Sequence, residues 1–291
     1  MLSILIPVKN FDSHRLINEL HTQGEALGIP FEILVAEDGT DSGMLHLNKI
    51  ADILLHCKRI VKKDNIGRAG IRNLLAHEAQ YPNLIFIDSD AIVEKKDFLA
   101  TYISALKEYK VVCGGLHHAD ELSDKHCSLR YTYEKNADKT RCAATRNKAP
   151  YDKFTTFNFA IKREVFTSIL FDKSITEYGY EDVLFGKELE KRGVEILHID
   201  NRLLHTGLED NATFLAKTEQ SLTTLHGIRE KIGRTPLLNI ADKLTRYHLA
   251  GLFMRYWHYR RKHLRKNLLG NSPSLLKFNI YKLGYFLSLS R

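Results

Sequence analysis

The stretch Leu84-Ile85-Phe86-Ile87-Asp88-Ser89-Asp90-Ala91-Ile92-Val93 decides how this chain is read. Four apolar residues fit a strand buried on both faces, and they stop at two carboxylates that flank a serine. Such a strand belongs inside a parallel sheet, and in open α/β sheets the carboxyl ends of the strands border the ligand crevice. Two acids in a crevice carry a desolvation cost unless a positive group joins them. A divalent cation holding a diphosphate meets that need, because hard cations take carboxylate and phosphate oxygens together. The same residues also suit a solvated Asp turn that merely caps the strand, so the motif has to be weighed with its surroundings.

Outward from this stretch, strand and helix patterns alternate. Strands are predicted at Ser3–Val8, Phe31–Ala36, Arg59–Lys62, Leu84–Asp88 and Lys110–Gly114. Helices are predicted at Ser13–Ala26, with Ser13 as cap, and at Met44–Ile53, Ile66–Ala79 and Asp97–Tyr109. This order implies a mostly parallel sheet flanked by helices, joined by right-handed crossovers. Residues 117–155 break the rhythm and read as a long polar insertion. A strand over Phe154–Ile161, a helical turn near Arg163–Leu170, a helix over Asp182–Arg192 closed by Gly193, and a strand at Glu195–Ile199 follow.

The 291 residues suffice for one large domain with an appendage, and 44% hydrophobic with 27% charged residues is ordinary for a soluble globular chain. Met1–Val8 has no basic region and too short an apolar run for a secretion signal, and no uninterrupted apolar stretch is long enough to span a bilayer. Four cysteines without a Cys-x-x-Cys point to a reduced cytoplasmic chain. His117, His118, Asp120, His126 and Cys127 lie close together, but their spacing fits a polar loop better than a zinc site. The net charge of +8 is unevenly spread: from Ala241 onward eleven Lys and Arg face one acid, Asp242, so that segment carries +10 and the residues before it −2.

Four further motifs accompany Asp88-Ser89-Asp90: Ile6-Pro7-Val8-Lys9-Asn10, Val35-Ala36-Glu37-Asp38-Gly39-Thr40-Asp41, Asn65-Ile66-Gly67-Arg68-Ala69-Gly70-Ile71-Arg72-Asn73, and Tyr178-Gly179-Tyr180-Glu181-Asp182. Each falls at a strand end or a helix start. Their order resembles the family 2 inverting glycosyltransferases of the GT-A fold over roughly residues 1–210, and Tyr178–Gly193 also resembles the acidic motif of galactosyltransferase-type C-terminal regions. The resemblance implies a Rossmann-like catalytic domain over 1–239 with a basic helical extension over 240–291. It further implies a metal-dependent transfer, with inversion, of a hexose or N-acetylhexosamine from a UDP-sugar to a glycan or lipid-linked glycan hydroxyl, in bacterial surface polysaccharide assembly.

Roles follow position by position. By resemblance Asp38 contacts the nucleobase, where a carboxylate can accept the imide N–H of uracil, and Pro7 lines the same pocket. Arg72 is placed to reach base or diphosphate, since a guanidinium fork suits phosphate. Asp88, with Ser89, faces the ribose or the waters of the metal, while Asp90 ligates Mn²⁺ or Mg²⁺. His205 matches the family's late metal or diphosphate histidine, and carboxylate plus imidazole is a reasonable set for Mn²⁺. Asp182 is the candidate general base; Glu181 binds acceptor hydroxyls and raises the Asp182 pKa by its charge. Tyr180 and Asn158 are further candidates for acceptor contact. Glu37 stands where the family commonly has an aspartate, and residues 117–155 match nothing in it.

From Ile240 to Leu268 an apolar stripe of Ile240, Leu244, Tyr247, Leu252, Phe253, Tyr256 and Trp257 faces a polar side loaded with Arg255, Arg260, Arg261, Lys262, Arg265 and Lys266. A second apolar stretch runs over Leu275–Leu289. Interleaved aromatic and basic residues at helical spacing fit a helix lying on an anionic membrane, which predicts a peripheral protein on the inner face of the cell membrane. Packing of the stripe on the catalytic body is the other reading; nucleic acid is not expected, since no binding motif accompanies the charge. Two rival functions are weighed. A sugar-1-phosphate nucleotidyltransferase would want a glycine-rich basic loop after the first strand, where this chain has Lys9-Asn10-Phe11-Asp12. A non-catalytic membrane adaptor of the same fold would not need Asp38, Asp88, Asp90, Asp182 and His205 intact.

Overall fold

The structure is a computed structural model that describes residues 1–174, 178–233 and 235–290. By internal contacts the chain forms two units, one of Met1–Ala119, Asp138–Thr176 and Glu181–Gly207, the other of Asp120–Ala137, Glu177–Tyr180 and Leu208–Arg291. The sequence reading divides the chain at 239/240; by contacts the second unit takes in Leu208–Arg291 together with earlier pieces, among them Asp120–Ala137 from the segment read as an insertion.

The first unit holds ten strands and six α-helices among its described residues. In chain order these are β1 (Leu2–Val8), α1 (His14–Ala26), β2 (Phe31–Asp38), β3 (Cys57–Lys62), α2 (Gly67–Glu78), β4 (Asn83–Ile87), β5 (Ala91–Ile92), α3 (Phe98–Ala105), β6 (Val111–Cys113) and β7 (Leu116–His117). After α4 (Ser128–Asp138), of which only the last residue belongs to this unit, come α5 (Ala143–Arg146), β8 (Asn158–Lys162), α6 (Arg163–Ile169), α7 (Glu181–Lys191), β9 (Ile196–His198) and β10 (Leu203–His205). A seven-stranded sheet runs in the order β3-β2-β1-β4-β8-β6-β9. Its pairs are parallel except those of β8, which runs antiparallel to both β4 and β6.

Both faces of this sheet are covered, which explains the unbroken apolar character of β1, β2 and β4. Leu2, Ile4 and Ile6 of β1 join one core with Leu16, Ile17 and Leu20 of α1 and Phe98 and Leu99 of α3. The alternate residue Leu5 joins a second core with Leu75 of α2, Phe166 of α6 and Phe185 of α7. A strand's period of two sends neighbouring side chains to opposite faces, so one strand feeds both cores. The second sheet, in the order β5-β10-β7, is short; it pairs His205 with Ala91 and Leu204 with His117.

Three segments depart from the sequence reading. Met44–Ile53 is a string of turns with a 3₁₀ turn at Lys49–Asp52 rather than a helix. Its buried Asn48 explains this: the side chain accepts from Ser13 N–H and donates to Phe11 O and Glu37 Oε1, so it serves neighbouring segments instead of a local helix. The polar insertion contains two helices, α4 and α5. The strand read as Phe154–Ile161 begins only at Asn158, and Phe154 and Phe157 are buried from non-strand backbone before it.

The second unit is helical. Besides α4 it comprises α8 (Asn211–Ile232), α9 (Pro236–Arg246), α10 (Ala250–Leu268) and α11 (Leu275–Ser288). Asp210 caps α8 by accepting from the N–H groups of Ala212 and Thr213. The amphipathic stretch from Ile240 is two helices, not one: His248 takes φ +58° and Leu249 N–H reaches back to Leu244 O, a Schellman-type ending. The core of this unit includes Leu215, Met254, Trp257, Leu264, Leu268 and Phe278. Of the stripe expected to face one way, Trp257 is buried while Ile240, Tyr247, Leu252 and Tyr256 are exposed. The close pairing of α10 and α11 depends on Gly284, where an added Cβ would overlap the Trp257 indole. Gly284→Ala is therefore expected to destabilise the protein by about 1–3 kcal/mol, as overpacking does, measured by chemical denaturation.

Candidate active site

The site is assembled at the carboxyl ends of β1, β2 and β4 and at the start of α7. Pro7 lies at the end of β1, paired with Ala36 of β2. Asp38 closes β2 with its carboxylate nearly buried; Oδ1 accepts from Ile66 N–H at 2.7 Å, which ties the β2 end to the start of α2. Gly39 makes this closure possible, since it takes φ +63° and a Cβ would stand 2.8 Å from Asn65 N. The loops after β1 and β2 are clipped together by Asn10, whose amide donates to Asp41 Oδ2 and accepts from Asp41 N–H. Glu37, at the position where an aspartate is common, points away from the crevice and is fully buried against Thr40 and Asn48.

After β4 the chain turns tightly: Asp88 N–H donates to Phe157 O, and Ala91 N–H to Asp88 O. Asp88 Oδ1 accepts from Arg72 Nη2 at 2.5 Å. Arg72 is only 2% exposed, donates Nη1 to Arg68 O and lies over the Phe171 ring, so it holds Asp88 in place. Ser89 O accepts from the Ser13 hydroxyl; Ser13, expected as the cap of α1, makes no side-chain capping bond and braces this turn instead.

Asp90 stands beside His205, with Oδ2 and Nε2 3.1 Å apart. The short sheet brings them together, because the His205–Ala91 pairing sets β10 alongside the residue after Asp90. Asp90 O also accepts from Thr206 N–H and from the Thr206 hydroxyl, and a Cβ at Gly207 would overlap Asp90 Oδ2. The His205 ring is packed edge-on by Phe157 and His118, both with centroids at 5.1 Å. Asp138 in turn holds His118 Nδ1 at 3.2 Å and accepts from His118 N–H. Burial pushes the Asp138 carboxyl up, but the hydrogen bonds and charge of His118, then Arg141, outweigh it and hold the carboxyl below its usual range.

No group of three or more His, Cys, Asp or Glu side chains able to hold a metal occurs among the described residues. A divalent ion bound by a nucleotide needs fewer, since phosphates and water complete its shell. Two neighbouring ligands of an octahedral ion with bonds of about 2.1 Å lie about 3.0 Å apart; the Asp90–His205 separation is 3.1 Å. The pair fits a cation as two adjacent donors. His205 Nδ1 is buried without a hydrogen-bond partner among the described residues, so packing by Phe157 and His118 supplies the orientation that a polar second partner usually gives.

Glu181 and Asp182 open α7. Arg68 Nη1 lies 3.5 Å from Glu181 Oε1, and Asp182 Oδ1 accepts from Val183 N–H. Burial, then the charge of Glu181, raises the Asp182 carboxyl to about 6, while Arg72 and Arg68 pull it the other way. Arg68 and Arg72 are one turn apart on α2. One reaches Glu181 and the other Asp88, so α2 joins the acids of the β4 end to those of α7. Tyr180, in the left-handed region at φ +69°, is grouped with the second unit.

Asn158 requires a correction. It is fully buried; its amide donates to Gly115 O and Asn201 O, and its oxygen accepts from the Tyr102 hydroxyl. It braces β8 and the loops before β7 and β10, with no polar group left for an acceptor sugar. Sequence reasoning also missed Arg68, His118 and Asp138. Arg68 was legible as the residue one turn before Arg72; the other two sit within the segment that matched no motif.

A mostly parallel α/β sheet with acids at successive strand ends, a carboxylate–imidazole pair and a carboxylate of raised pKa defines a GT-A-type glycosyltransferase. The model of glycosyl transferase family 2 matches residues 3–170, more than half of the sequence, and the chain belongs to this family. An uncharacterized glycosyltransferase, YfnE of Bacillus subtilis strain 168, is 29% identical over 242 residues, covering 66% of this chain and 61% of that protein. The chain thus spans about three-fifths of the length of this curated relative. Among solved structures, the Pyrobaculum calidifontis mannosyltransferase PcManGT in complex with GDP-Man and Mn²⁺ superposes with a TM-score of 0.55 at 14% identity, covering 81% of this chain and 65% of that one. S. aureus TarS 1–349 in complex with UDP-GlcNAc superposes with a TM-score of 0.51 at 15% identity, covering 77% and 66%. These likenesses show the shared fold.

The raised Asp182 carboxyl binds more protons in the folded than in the unfolded chain between about pH 4 and pH 6, so its ionisation lowers stability as pH rises through that window. Asp182→Asn, which mimics the neutral acid and can still accept from Val183 N–H, should raise stability at pH 7.5 by about 1–2 kcal/mol and leave it unchanged below pH 4, read from melting curves. For the ring that packs on His205, His118→Ala should weaken Mn²⁺ binding measured by calorimetry in the presence of UDP by about tenfold, and His118→Phe should recover most of it.

Proposed function

We propose that the chain moves a hexose or N-acetylhexosamine from a UDP-sugar to a glycan or lipid-linked glycan hydroxyl, with inversion at the anomeric carbon. In this reading Asp38 and Pro7 receive the base. Asp38 keeps one carboxylate oxygen beyond its bond to Ile66, suited to the imide N–H of uracil. Asp88, steadied by Arg72, orients the ribose, and Asp90 with His205 would hold Mn²⁺ or Mg²⁺ against the diphosphate. A cation so held supplies Lewis-acid stabilisation of the charge that develops on the leaving UDP.

Asp182 takes the proton of the acceptor hydroxyl as its oxygen attacks from the face opposite the departing diphosphate. A carboxyl near pH 6 is ionised at neutral pH yet more basic than an ordinary aspartate, which suits that task. Glu181, held by Arg68, is left to bind acceptor hydroxyls, with Tyr180 beside it in sequence. The observation that carries the proposal is the arginine pair of α2, which links the donor-side carboxylate Asp88 to the acceptor-side carboxylates of α7. The complexes of the structural neighbours with UDP-GlcNAc and with GDP-Man and Mn²⁺ support a nucleotide-sugar donor and a divalent ion. We place the reaction in bacterial surface polysaccharide or lipopolysaccharide assembly.

The test is a donor panel assayed for nucleotide release, with and without chelator. UDP-hexoses or UDP-N-acetylhexosamines should be consumed and GDP-mannose should not, and chelation should abolish turnover. Asp182→Asn should retain UDP binding and lose about 10²–10⁴-fold in transfer. Pyrophosphate release from UTP and a sugar phosphate would favour the nucleotidyltransferase instead, and a melting temperature unmoved by every donor with Mn²⁺ would favour a non-catalytic role.

A further inference from the structure

We propose that the outward face of α10 is a docking surface for an anionic lipid bilayer. This helix turns Met254, Trp257, Leu264 and Leu268 into the core of its unit. The opposite face carries Leu252, Tyr256 and Tyr259, spaced i, i+4 and i+7 and exposed by 68%, 47% and 84%. They form one stripe along the helix. Tyr247 and Leu249, at the junction with α9, are exposed as well. Exposed Arg255, Lys262 and Lys266 run beside the stripe. This face is not the one read from the sequence, which counted Trp257 and Phe253 in the apolar stripe; packing takes the indole away and leaves tyrosines.

Charge selects the occupant. No acidic residue follows Asp242, and Asp242 lies 3.2 Å from Arg229. Glu219, the acid of α8 that meets α10, is paired with Arg265 and accepts from the Tyr281 hydroxyl. A face of this kind repels a second copy of itself and suits a surface that is negative and apolar at once. Tyrosines seat their rings at the level of lipid headgroups, and Arg and Lys beside them meet anionic phosphates. No helix among the described residues is long and apolar enough to cross a membrane, so α10 would lie in the plane of the interface.

The test uses the full chain and needs no sugar, so its failure leaves the glycosyl-transfer reading intact. The protein should co-sediment with equimolar phosphatidylcholine–phosphatidylglycerol vesicles and not with phosphatidylcholine alone. Each Lys or Arg at such a surface is worth about fivefold in partition, so the triple variant Arg255→Ala, Lys262→Ala, Lys266→Ala should lose about 100-fold. Leu252→Ser, Tyr256→Ser, Tyr259→Ser should also abolish binding, with circular dichroism and melting temperature unchanged because these side chains are exposed. Equal binding of either variant and wild type, or no binding to the mixed vesicles, overturns the proposal. So does a lipid-free dimer in sedimentation velocity that the apolar variant dissociates, which would reassign the face to a second copy.

Discussion

The first unit depends on a guanidinium placed where water scarcely reaches it. Arg72 is fixed by α2, and a buried positive charge without a partner is among the most costly groups a fold can hold. Asp88 is that partner, at 2.5 Å. The pair sets where β4 must end and how α2 must lie against it, and it prevents the strand end from relaxing into a solvated turn. The neighbouring acid, Asp90, is held in its own way, through His205 on a strand that pairs beside it. Two acids one residue apart are thus claimed by different partners from different elements, and the serine between them is braced through its carbonyl by Ser13.

That division explains what the sequence could and could not disclose. The apolar runs of β1, β2 and β4 are legible because a strand covered on both faces needs apolar residues at every position. Asp38, Asp88 and Asp90 are legible because acids that stop such runs must answer to something. Asn158 misleads because an amide between two phenylalanines has the same sequence signature whether it faces a ligand or bridges backbone carbonyls. Only the structure shows both donors and the acceptor spent. Met44–Ile53 misleads for a related reason: its helical pattern is real, but Asn48 is recruited by Ser13, Phe11 and Glu37 from other segments.

The helical unit was harder to read. In α8 the buried positions include Asn211 and Thr224 beside Leu215, Leu222 and Leu225, and the helix departs from helical dihedrals at Ile228. Mixed polarity and a kink erase the periodicity on which sequence reading relies. The stretch from Ile240 kept its periodicity, but the single stripe read from it joins residues that the structure separates, Trp257 being buried while Leu252 and Tyr256 are exposed. The interior took the stripe through Met254, Trp257, Leu264 and Leu268, whose side chains fill the space against α11.

The same arginine pair accounts for the unequal condition of the acids it touches. Arg72 spends its short bond on Asp88 and Arg68 lies against Glu181, so Asp182 receives only their field at longer range. That attraction is outweighed by the loss of water around the carboxyl and by the charge of Glu181, and the carboxyl stays raised. Carboxylates in one site are commonly driven apart in pKa by such differences of environment, which lets one remain a fixed anion while another exchanges a proton. A carboxyl adjusted in this way costs stability at neutral pH. The fold bears that cost because Arg72 is already committed to the strand end on which the parallel sheet and one wall of the crevice are built.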